Sequence, residues 1–285
     1  MVAVSPSLIV GSLVGIIVIV AAAVALIVWR TRRALPRRVA KKSARLRHPV
    51  VLAHGLFGFD KIALGGREHS YFRGVTGHLT RVGAEVHRPR LPSVASIALR
   101  AEELVRLVRV IRARKVNIIA HSMGGLDVRY AVAKLGLADR VASVITIGTP
   151  HLGTPVAELG ARLSDLLRIK ALLGRILDVD ALYDLTADRM ARFNRDVADA
   201  PAVFYGSVIA RIDRARANPL LWPTHAYLSD RCGANDGMVP VASQRWGEVV
   251  REIDADHWAQ IGWSRHFDAV ALYEEIVREL VALGM

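Results

Sequence analysis

The sequence predicts an α/β protein, with a mostly parallel central sheet, helices on both faces and one N-terminal transmembrane helix ahead of it. Three observations predict this architecture. Short apolar runs alternate with amphipathic stretches along residues 48–285, a long uncharged segment opens the chain, and a strand-turn-helix pattern surrounds Ser122. Parallel strands need a crossover connection, usually a helix, so the alternation favours a parallel sheet covered by helices. The 285 residues suffice for one large domain or two small ones.

The segment 8–29 is predicted to cross a membrane. It contains no charged residue, and a helix of this length, rising about 1.5 Å per residue, spans the hydrocarbon core of a bilayer. A buried core helix is the alternative, but such helices are seldom this long with every face apolar. Residues 1–7 carry no basic side chain, which a signal peptide requires, so we expect a retained anchor.

A basic segment at 30–47 follows the predicted anchor and supplies +9 of the formal net charge of +13. Positive residues beside a span favour the cytoplasmic side, so the remainder of the chain is predicted to lie there. Such a segment also attracts anionic lipid. Nucleic-acid binding is the alternative, but no aromatic residue interrupts the segment, so no nucleic-acid partner is expected. The nine residues are Arg30, Arg32, Arg33, Arg37, Arg38, Lys41, Lys42, Arg45 and Arg47.

The only cysteine of the chain is Cys232, so an internal disulfide is excluded. This agrees with a reducing compartment without proving one. The sequence gives no indication of the oligomeric state.

Residues 48–285 are predicted to form the globular domain. Apolar runs predict the strands, and apolar side chains recurring on one helical face predict the helices. The strands are 50–53, 84–87, 116–120, 141–147, 202–208 and 249–253, and the helices are 71–82, 97–113, 124–135 and 267–283. Residues 156–190 predict consecutive helices, which form either extra core packing or a lid that shields a site and presents leucines to lipid.

The strand at 116–120 runs into Ser122, and small residues lead from there into a helix beginning near Leu126. This pattern is typical of the nucleophile elbow of α/β-hydrolases, whose strained turn exposes a serine at a helix N-terminus. Positions 120 and 124 must be small because larger side chains would clash in the turn. Ala120 stands where the G-x-S-x-G pattern usually has its first glycine. The pattern predicts the α/β-hydrolase fold, with Ser122 as the nucleophile.

The first predicted strand ends in His54-Gly55-Leu56-Phe57-Gly58, an HG-x-x-G turn. In this fold such a turn supplies one backbone N–H group to the oxyanion of acyl transfer, and the residue after the nucleophile supplies the other. Leu56 and Met123 are therefore the candidate donors. An ordinary glycine-rich turn is the alternative.

The acid and the base follow from chain order, which in this fold is serine, acid, histidine. Asp236 lies in a predicted turn after the later strands, and His257 follows the strand at 249–253. His257 would take the proton of Ser122, and Asp236 would hold the imidazole in the right tautomer. The rival candidates are Asp213 and Asp230 for the acid, and His225 and His266 for the base.

Together these segments resemble the bacterial triacylglycerol lipases of the Pseudomonas and Burkholderia type. The resemblance covers roughly residues 48–265 and implies hydrolysis of carboxylic esters in acyl glycerols or similar lipids, through an acyl-enzyme on Ser122 and without a cofactor. The matching segments are His54-Gly55-Leu56, Ala120 to Gly125, the GTPH-x-G pattern within Thr146 to Gly153, Phe193-Asn194-Arg195, Asn235-Asp236-Gly237 and Asp256-His257.

Three features depart from that family. Its members are typically secreted, whereas this chain has a predicted retained span, and Ala120 replaces the first elbow glycine, as in Bacillus lipases. Its members also bind a structural calcium ion through an aspartate two residues after the histidine and a glutamine six residues after it. Those positions are Ala259 and Trp263, which offer no side-chain oxygen, so no metal site is predicted.

Two alternatives to an ester hydrolase stay open at this point. An acyltransferase or thioesterase would use the same triad with another acceptor or acyl donor, and no motif separates these from a hydrolase. A non-catalytic, membrane-anchored interaction module would keep the fold alone. The complete set of nucleophile, acid, base and oxyanion turn argues against this second alternative, although fold analogy does not prove function.

Overall fold

The computed structural model describes residues 46–56, 58, 61–64, 67–166 and 180–285. The predicted span at 8–29, nearly all of the basic segment at 30–47 and the middle of the predicted lid lie outside these residues. Within the described part, no helix is long and apolar enough to cross a membrane.

Eight strands are described: β1 Val50–Ala53, β2 Lys61–Leu64, β3 Arg67–Ser70, β4 Val86–His87, β5 Val116–His121, β6 Val141–Ile147, β7 Phe204–Arg211 and β8 Glu248–Asp254. Six of them form one sheet in the order β4-β1-β5-β6-β7-β8, and every neighbouring pair is parallel. Strands β2 and β3 pair antiparallel as a separate hairpin. The predicted parallel sheet is therefore confirmed, whereas the hairpin was not predicted.

The helices of the described part are α1 Val75–Arg81, α2 Ile97–Arg109, α3 Gly124–Lys134, α4 Pro155–Leu166, α5 Asp180–Asp184, α6 Ala187–Asp196, α7 Trp222–Cys232, α8 Val241–Gln244 and α9 Ala269–Ala282. Capping side chains define some of the starts. Ser96 accepts a hydrogen bond from the Leu99 N–H group before α2, and Asp268 accepts one from the Ala271 N–H group before α9.

Helices cover both faces of the sheet because successive side chains of a strand point to opposite sides. Val50 and Leu52 pack on one face against α1 and α9, whereas Val51 and Ala53 pack on the other face against α2 and α3. Strands β5 and β6 are buried along their whole length, as expected for parallel strands between two helical layers.

A third apolar cluster lies beside the carboxyl ends of the strands. Met123 and Leu126, at the start of α3, pack there against Ala157 of α4, Ala181 of α5 and Met190 of α6. The helices α4 to α6 therefore lie next to the turn that carries Ser122.

Candidate active site

Ser122 lies at the turn between β5 and α3 with a φ angle of 56°, and it is the only non-glycine residue with positive φ in the described chain. That conformation is costly for a residue with a side chain, and it persists only where the surroundings enforce it. A Cβ atom at Gly124 would lie 2.8 Å from the carbonyl oxygens of Ala53 and His54. The turn therefore needs the small residue that the sequence predicted there.

The following segment holds the turn from the other side. Thr149, in the GTPH segment after β6, donates a hydrogen bond of 2.7 Å to the carbonyl oxygen of Ser122. A Cβ atom at Gly125 would lie 2.4 Å from the hydroxyl oxygen of this threonine. The second glycine of the elbow therefore allows the contact between α3 and the GTPH segment.

Ser122, His257 and Asp236 meet at the carboxyl end of the sheet. The Ser122 Oγ atom lies 3.0 Å from His257 Nε2, and His257 Nδ1 lies 2.8 Å from Asp236 Oδ2. Asp236 is fully buried and His257 is nearly so. With the Nδ1–H group donating to the carboxylate, Nε2 is free to accept the serine proton.

Asp236 is held in place by donors on both carboxylate oxygens. The N–H groups of Met238 and Val239 donate to Oδ1 over 2.9 and 2.7 Å, and the Gln260 side-chain amide donates to Oδ2 over 2.8 Å. The His257 N–H group also donates to the Asp236 carbonyl oxygen over 2.9 Å. The acid and the base therefore keep one mutual geometry.

The rival candidates lie away from this centre. His225 contacts the Ile212 carbonyl oxygen through Nε2 at 2.7 Å, and His266, Asp213 and Asp230 are exposed. At the start of the C-terminal helix, Asp268 rather than His266 accepts the capping hydrogen bond.

The two predicted oxyanion donors flank the serine. Neither the Leu56 nor the Met123 N–H group donates a hydrogen bond within the described part of the chain. A Cβ atom at Gly55 would lie 2.7 Å from the Ser122 Cβ atom, so the turn after β1 touches the elbow. Two N–H groups without acceptors at this position can receive an oxyanion.

A buried arginine ties the oxyanion turn to the helix behind the nucleophile. The Arg100 guanidinium donates to the His54 carbonyl oxygen over 2.6 Å, to the Pro92 carbonyl oxygen and to Asp127 Oδ2 over 2.9 Å. Burial raises the pKa of Asp127 to about 6, although the attraction of Arg100 opposes this shift. The ion pair fixes the two oxyanion donors relative to each other.

Three further side chains link the oxyanion turn to the catalytic acid, and the sequence did not predict their role. The Tyr71 hydroxyl lies 3.3 Å from the Gly55 nitrogen, which donates to it, and 2.8 Å from His121 Nδ1. His121 Nε2 lies 3.1 Å from the His257 carbonyl oxygen and 3.2 Å from Gln260 Oε1. Gln260 in turn donates to Asp236. A continuous hydrogen-bonded path therefore connects both halves of the site.

His121 is neutral in this path. Burial, and then the neighbouring His257, hold the pKa of His121 well below its usual range. Its Nε2 atom faces two oxygen acceptors, so Nε2 carries the proton and Nδ1 accepts from the Tyr71 hydroxyl. Tyr71 stays a donor because burial raises the pKa of its phenol above the usual range. The segment before Ser122 offered one signal, since His121 interrupts an apolar strand.

His151 of the GTPH segment lies outside the reacting centre. Its Nδ1 atom is 3.2 Å from the Arg129 guanidinium, its carbonyl oxygen accepts from Asn194, and its ring stacks on Trp246 at 5.3 Å. Burial, and then Arg129, hold the pKa of His151 well below its usual range. The GTPH and Phe193-Asn194-Arg195 segments thus form a structural cluster behind the elbow.

The residues near the catalytic histidine do not fit a calcium site. The Trp263 indole N–H group donates to the Tyr71 carbonyl oxygen, and the Ala259 N–H group donates to Asp256. Asp256 also accepts from the N–H groups of Asn218 and Trp258. Among the described residues, no group of three His, Cys, Asp or Glu side chains could hold a metal ion.

A parallel sheet covered by helices, with a serine on a strained elbow in contact with a histidine-aspartate pair, defines a serine hydrolase of the α/β-hydrolase class. The sequence pattern of the family described as "Alpha/beta hydrolase family" matches residues 50–272, and the chain belongs to this family.

Curated relatives are ester hydrolases. The chain is 30% identical to a triacylglycerol lipase of Pseudomonas fragi over 85% of this chain and 99% of that protein. It is 37% identical to a triacylglycerol lipase of Vibrio cholerae, over 55% of this chain and 50% of that one. The protein is accordingly a carboxylic ester hydrolase, similar to bacterial lipases, and the acyltransferase, thioesterase and non-catalytic alternatives are not favoured.

Solved structures share the fold. A metagenomic carboxyl esterase superimposes with a TM-score of 0.70 and 21% identity, covering 88% of this chain and 80% of that one. A Staphylococcus hyicus lipase superimposes with a TM-score of 0.66 and 18% identity, covering 87% and 98% of the two chains. At these identities the similarity establishes the α/β-hydrolase architecture alone.

Proposed function

We propose that this enzyme hydrolyses acyl esters of glycerol or related lipids through an acyl-enzyme on Ser122. The observation that carries the proposal is the contact chain from Ser122 Oγ through His257 to Asp236, with separations of 3.0 and 2.8 Å. The names of the curated relatives support the choice of lipid esters.

Acylation begins when His257 Nε2 removes the Ser122 hydroxyl proton as Oγ attacks the carbonyl carbon of the ester. The carbonyl oxygen becomes negatively charged and accepts hydrogen bonds from the Leu56 and Met123 N–H groups. Asp236 stabilises the protonated His257. The bond to the alcohol oxygen then breaks, and His257 gives its proton to that oxygen, releasing the alcohol.

Deacylation repeats these steps with water. His257 Nε2 removes a proton from a water molecule, whose oxygen attacks the acyl carbon of the acyl-enzyme. The same two N–H groups receive the charge. The bond to Ser122 Oγ breaks, His257 returns the proton to Oγ, and the carboxylic acid leaves.

Substitution of the triad tests these roles. Ser122→Ala should abolish ester hydrolysis and labelling by a fluorophosphonate probe. Asp236→Asn should lower kcat by about 10⁴-fold, and His257→Ala by about 10⁶-fold. Asp230→Asn is the matched control, because Asp230 is exposed. Labelling of the Ser122→Ala variant at the level of the parent, or a larger loss in Asp230→Asn than in Asp236→Asn, would contradict the assignment.

A substrate panel tests the lipid preference. The panel contains p-nitrophenyl esters of rising acyl length, triglycerides and phospholipids, and kcat/KM is measured for each. Hydrolysis of long-chain glycerides above the short-chain esters supports the proposal. Activity confined to short, soluble esters would instead indicate a carboxylesterase without lipid preference.

We also propose that residues 156–190 form a lid over the site. In the described part of this region, Leu159 and Leu163 of α4 are 37% and 46% exposed, and the neighbouring Leu152 is 54% exposed. Exposed leucines beside an active site suit contact with lipid. Leu159→Ser with Leu163→Ser should lower hydrolysis of emulsified glycerides severalfold and leave soluble esters unaffected. Leu283→Ser, also at an exposed leucine, is the control.

The membrane anchor at 8–29 with the catalytic domain on the cytoplasmic side is a further proposal. It is supported by the uncharged segment and by nine basic residues after it, with none before it. Alkaline phosphatase fused after Met285 should be inactive, whereas a fluorescent protein that matures only inside the cell should be bright at the same position. Active phosphatase with a dark fluorescent fusion would overturn the orientation.

A further inference from the structure

A basic cavity of about 320 Å³ lies at the amino ends of the strands, opposite the active site. Arg47 and His48 precede β1, and Arg114 and Lys115 precede β5; all four line it. We refer to these four residues as the basic face. No acidic side chain is among the described residues that line this cavity.

The basic face is held in place by main-chain contacts. The Arg140 guanidinium donates to the carbonyl oxygens of Ile111, Ala113 and Arg114 over 2.9, 2.8 and 3.1 Å, so the loop before β5 has one conformation. The Asn117 N–H group donates to the Pro49 carbonyl oxygen over 2.9 Å and joins this loop to the segment before β1. The four side chains of the basic face therefore project from two loops that are joined to each other.

The charges of the basic face are not neutralised by carboxylates. Within the described chain, Arg47, Arg114 and Lys115 form no ion pair. Burial lowers the pKa of His48, and the three neighbouring cations lower it further. His48 therefore lies in a positive electrostatic potential. Four acidic residues precede or begin strands at this end, and none of them lines the cavity: Glu85, whose carboxylate contacts His87, Asp139, Asp199, which contacts Arg129 and the Trp246 indole, and Glu248. The lining of the cavity remains positively charged even when a terminal carboxylate at Met285 is included, because Arg47, Arg114 and Lys115 carry three positive charges.

We propose that the basic face binds the phosphate groups of anionic lipids and thereby turns the catalytic end of the domain away from the anchoring membrane. The inference rests on the proposed membrane anchor, and it names the lipid surface that the domain contacts. Arg47 is both the last of the nine basic residues at 30–47 and a member of the face, so the face adjoins that segment in sequence. Juxtamembrane basic clusters bind anionic headgroups in this way.

The direction of the active site follows from strand polarity. Two residues of the basic face, Arg114 and Lys115, directly precede β5, and Ser122 directly follows this strand of six residues. At about 3.3 Å per residue, the two lie roughly 20 Å apart along the sheet. With the basic face on the headgroups, the site opens towards the aqueous phase, and ester substrates reach it from that side.

The single cysteine allows a direct test of this orientation. Cys232 is exposed at the end of α7, on the catalytic side of the sheet. The full chain is reconstituted into vesicles of phosphatidylcholine with phosphatidylglycerol, and a membrane-impermeant maleimide donor labels Cys232 on the outer surface. Energy transfer to an acceptor on the lipid headgroups should be low in anionic vesicles. The energy transfer should rise in the triple variant Arg47→Gln, Arg114→Gln and Lys115→Gln. Without these three cations, the preference of the domain for this orientation falls roughly 100-fold.

A second triple variant provides the matched control. Arg211, Arg214 and Arg216 line a cavity of about 350 Å³ at the catalytic end, together with Asp213 and Asp254. Their substitution by glutamine removes the same charge and should leave energy transfer low. Unchanged hydrolysis of a soluble ester shows that each variant is folded.

The outcomes test the basic face and the membrane anchor independently of each other. High energy transfer in the parent protein would show that the catalytic end faces the lipid, and an equal rise in both triple variants would show that the basic face has no special role. Either result would overturn the inference. Loss of the chain from phosphatidylcholine vesicles in a high-salt wash would refute the anchor. The energy transfer of chains bound to anionic vesicles at low salt would still report which end contacts the lipid.

Discussion

At the scale of single residues, the site depends on a neutral histidine that does not react. His121 precedes the nucleophile and contacts the Tyr71 hydroxyl on one side and Gln260 and the His257 carbonyl oxygen on the other. A protonated His121 would be a buried cation beside His257, and it would lose its acceptor for Tyr71. Its depressed pKa therefore preserves the hydrogen-bonded path at neutral pH.

Gln260 is expected to position the acid, and a charged variant distinguishes this role from simple packing. Gln260→Glu adds a carboxylate next to Asp236, which stabilises protonated His257 and moves the acidic limb of the kcat/KM profile to higher pH. Gln260→Ala should lower kcat about 10–100-fold with little change in KM. The pH profiles of both variants and the parent are the measurement. An unshifted profile for Gln260→Glu with normal kcat would contradict the positioning role.

The pH dependence of stability should carry a contribution from Asp127. Burial raises its pKa to about 6 in the folded protein from the ordinary aspartate value of 3.8, so folding favours the protonated form. This contribution to the free energy of unfolding is fully present below pH 4 and is lost as the pH rises through about 6. From the two pKa values it amounts to roughly 3 kcal/mol, at 1.36 kcal/mol per unit.

Urea unfolding of the parent and Asp127→Asn between pH 4.5 and 8 is the measurement. The difference in free energy of unfolding between them should shrink as the pH rises, because the variant lacks this titration. Asp139→Asn, at an exposed aspartate, should give a constant difference. A difference for Asp127→Asn that grows with pH would show that its pKa is depressed instead.

At the scale of elements, the elbow depends on how closely β1 and α3 approach each other. A Cβ atom at Gly124 would meet two main-chain carbonyl oxygens, which cannot move without shifting the oxyanion turn. The glycine of α4, Gly160, has only the flexible end of Leu182 near its Cβ position, at 3.7 Å. The two helical glycines therefore make a matched pair.

Gly124→Ala should destabilise the fold by several kcal/mol or abolish activity, because overpacking displaces β1 or the elbow. Gly160→Ala should be neutral or stabilising by up to about 1 kcal/mol, since alanine favours helix. Thermal unfolding and hydrolysis of a soluble ester are measured for both. Equal behaviour of the two variants would contradict the close-approach argument.

The edges of several elements differ from their predicted bounds. The helix predicted at 97–113 ends at Arg109, and its Leu99 side chain is 51% exposed. Leu104 and Val108 are fully buried, so the predicted apolar stripe is present but narrower. The helices α7 and α8 were not predicted. They are short and contain few apolar residues, so hydrophobic periodicity gives little indication of a helix there.

At the scale of the whole molecule, hydrogen bonds from main-chain groups join the loops around the catalytic histidine. Asp256 accepts N–H groups from Asn218, Trp258 and Ala259, and this links the loop after β7 to the loop after β8. Treatment with EDTA should therefore leave the melting temperature and kcat/KM nearly unchanged. Loss of either on chelation, with recovery on added calcium, would show that a metal site exists elsewhere in the chain.

The polarity of the sheet gives the molecule two chemically different ends. All six central strands are parallel, so their carboxyl ends gather the nucleophile, base and acid at one edge. The amino ends gather the basic face at the other edge. The chain order of the fold indicated the first grouping, whereas the basic face was not predicted because its residues precede different strands.

The sequence by itself determined the fold class, the strand positions near β1, β5 and β6, and Ser122 as the residue on the elbow. These signals are local: buried parallel strands are continuous apolar runs, and the elbow needs small residues within a few positions of the serine. The choice of Asp236 and His257 followed from chain order, and the structure places His257 between Ser122 and Asp236, in contact with both. The GTPH segment indicated the family, but it did not predict that His151 contacts Arg129 behind the elbow.

Only the tertiary structure decided which distant side chains meet. Tyr71 and His121 are 50 positions apart, and His121 and Gln260 are 139 positions apart, yet they form one hydrogen-bonded path. The basic face likewise joins residues that precede β1 to residues that precede β5. Such contacts depend on strand order and on the packing of loops. Hydrophobic periodicity determines which face of an element is buried, but not which element packs against it.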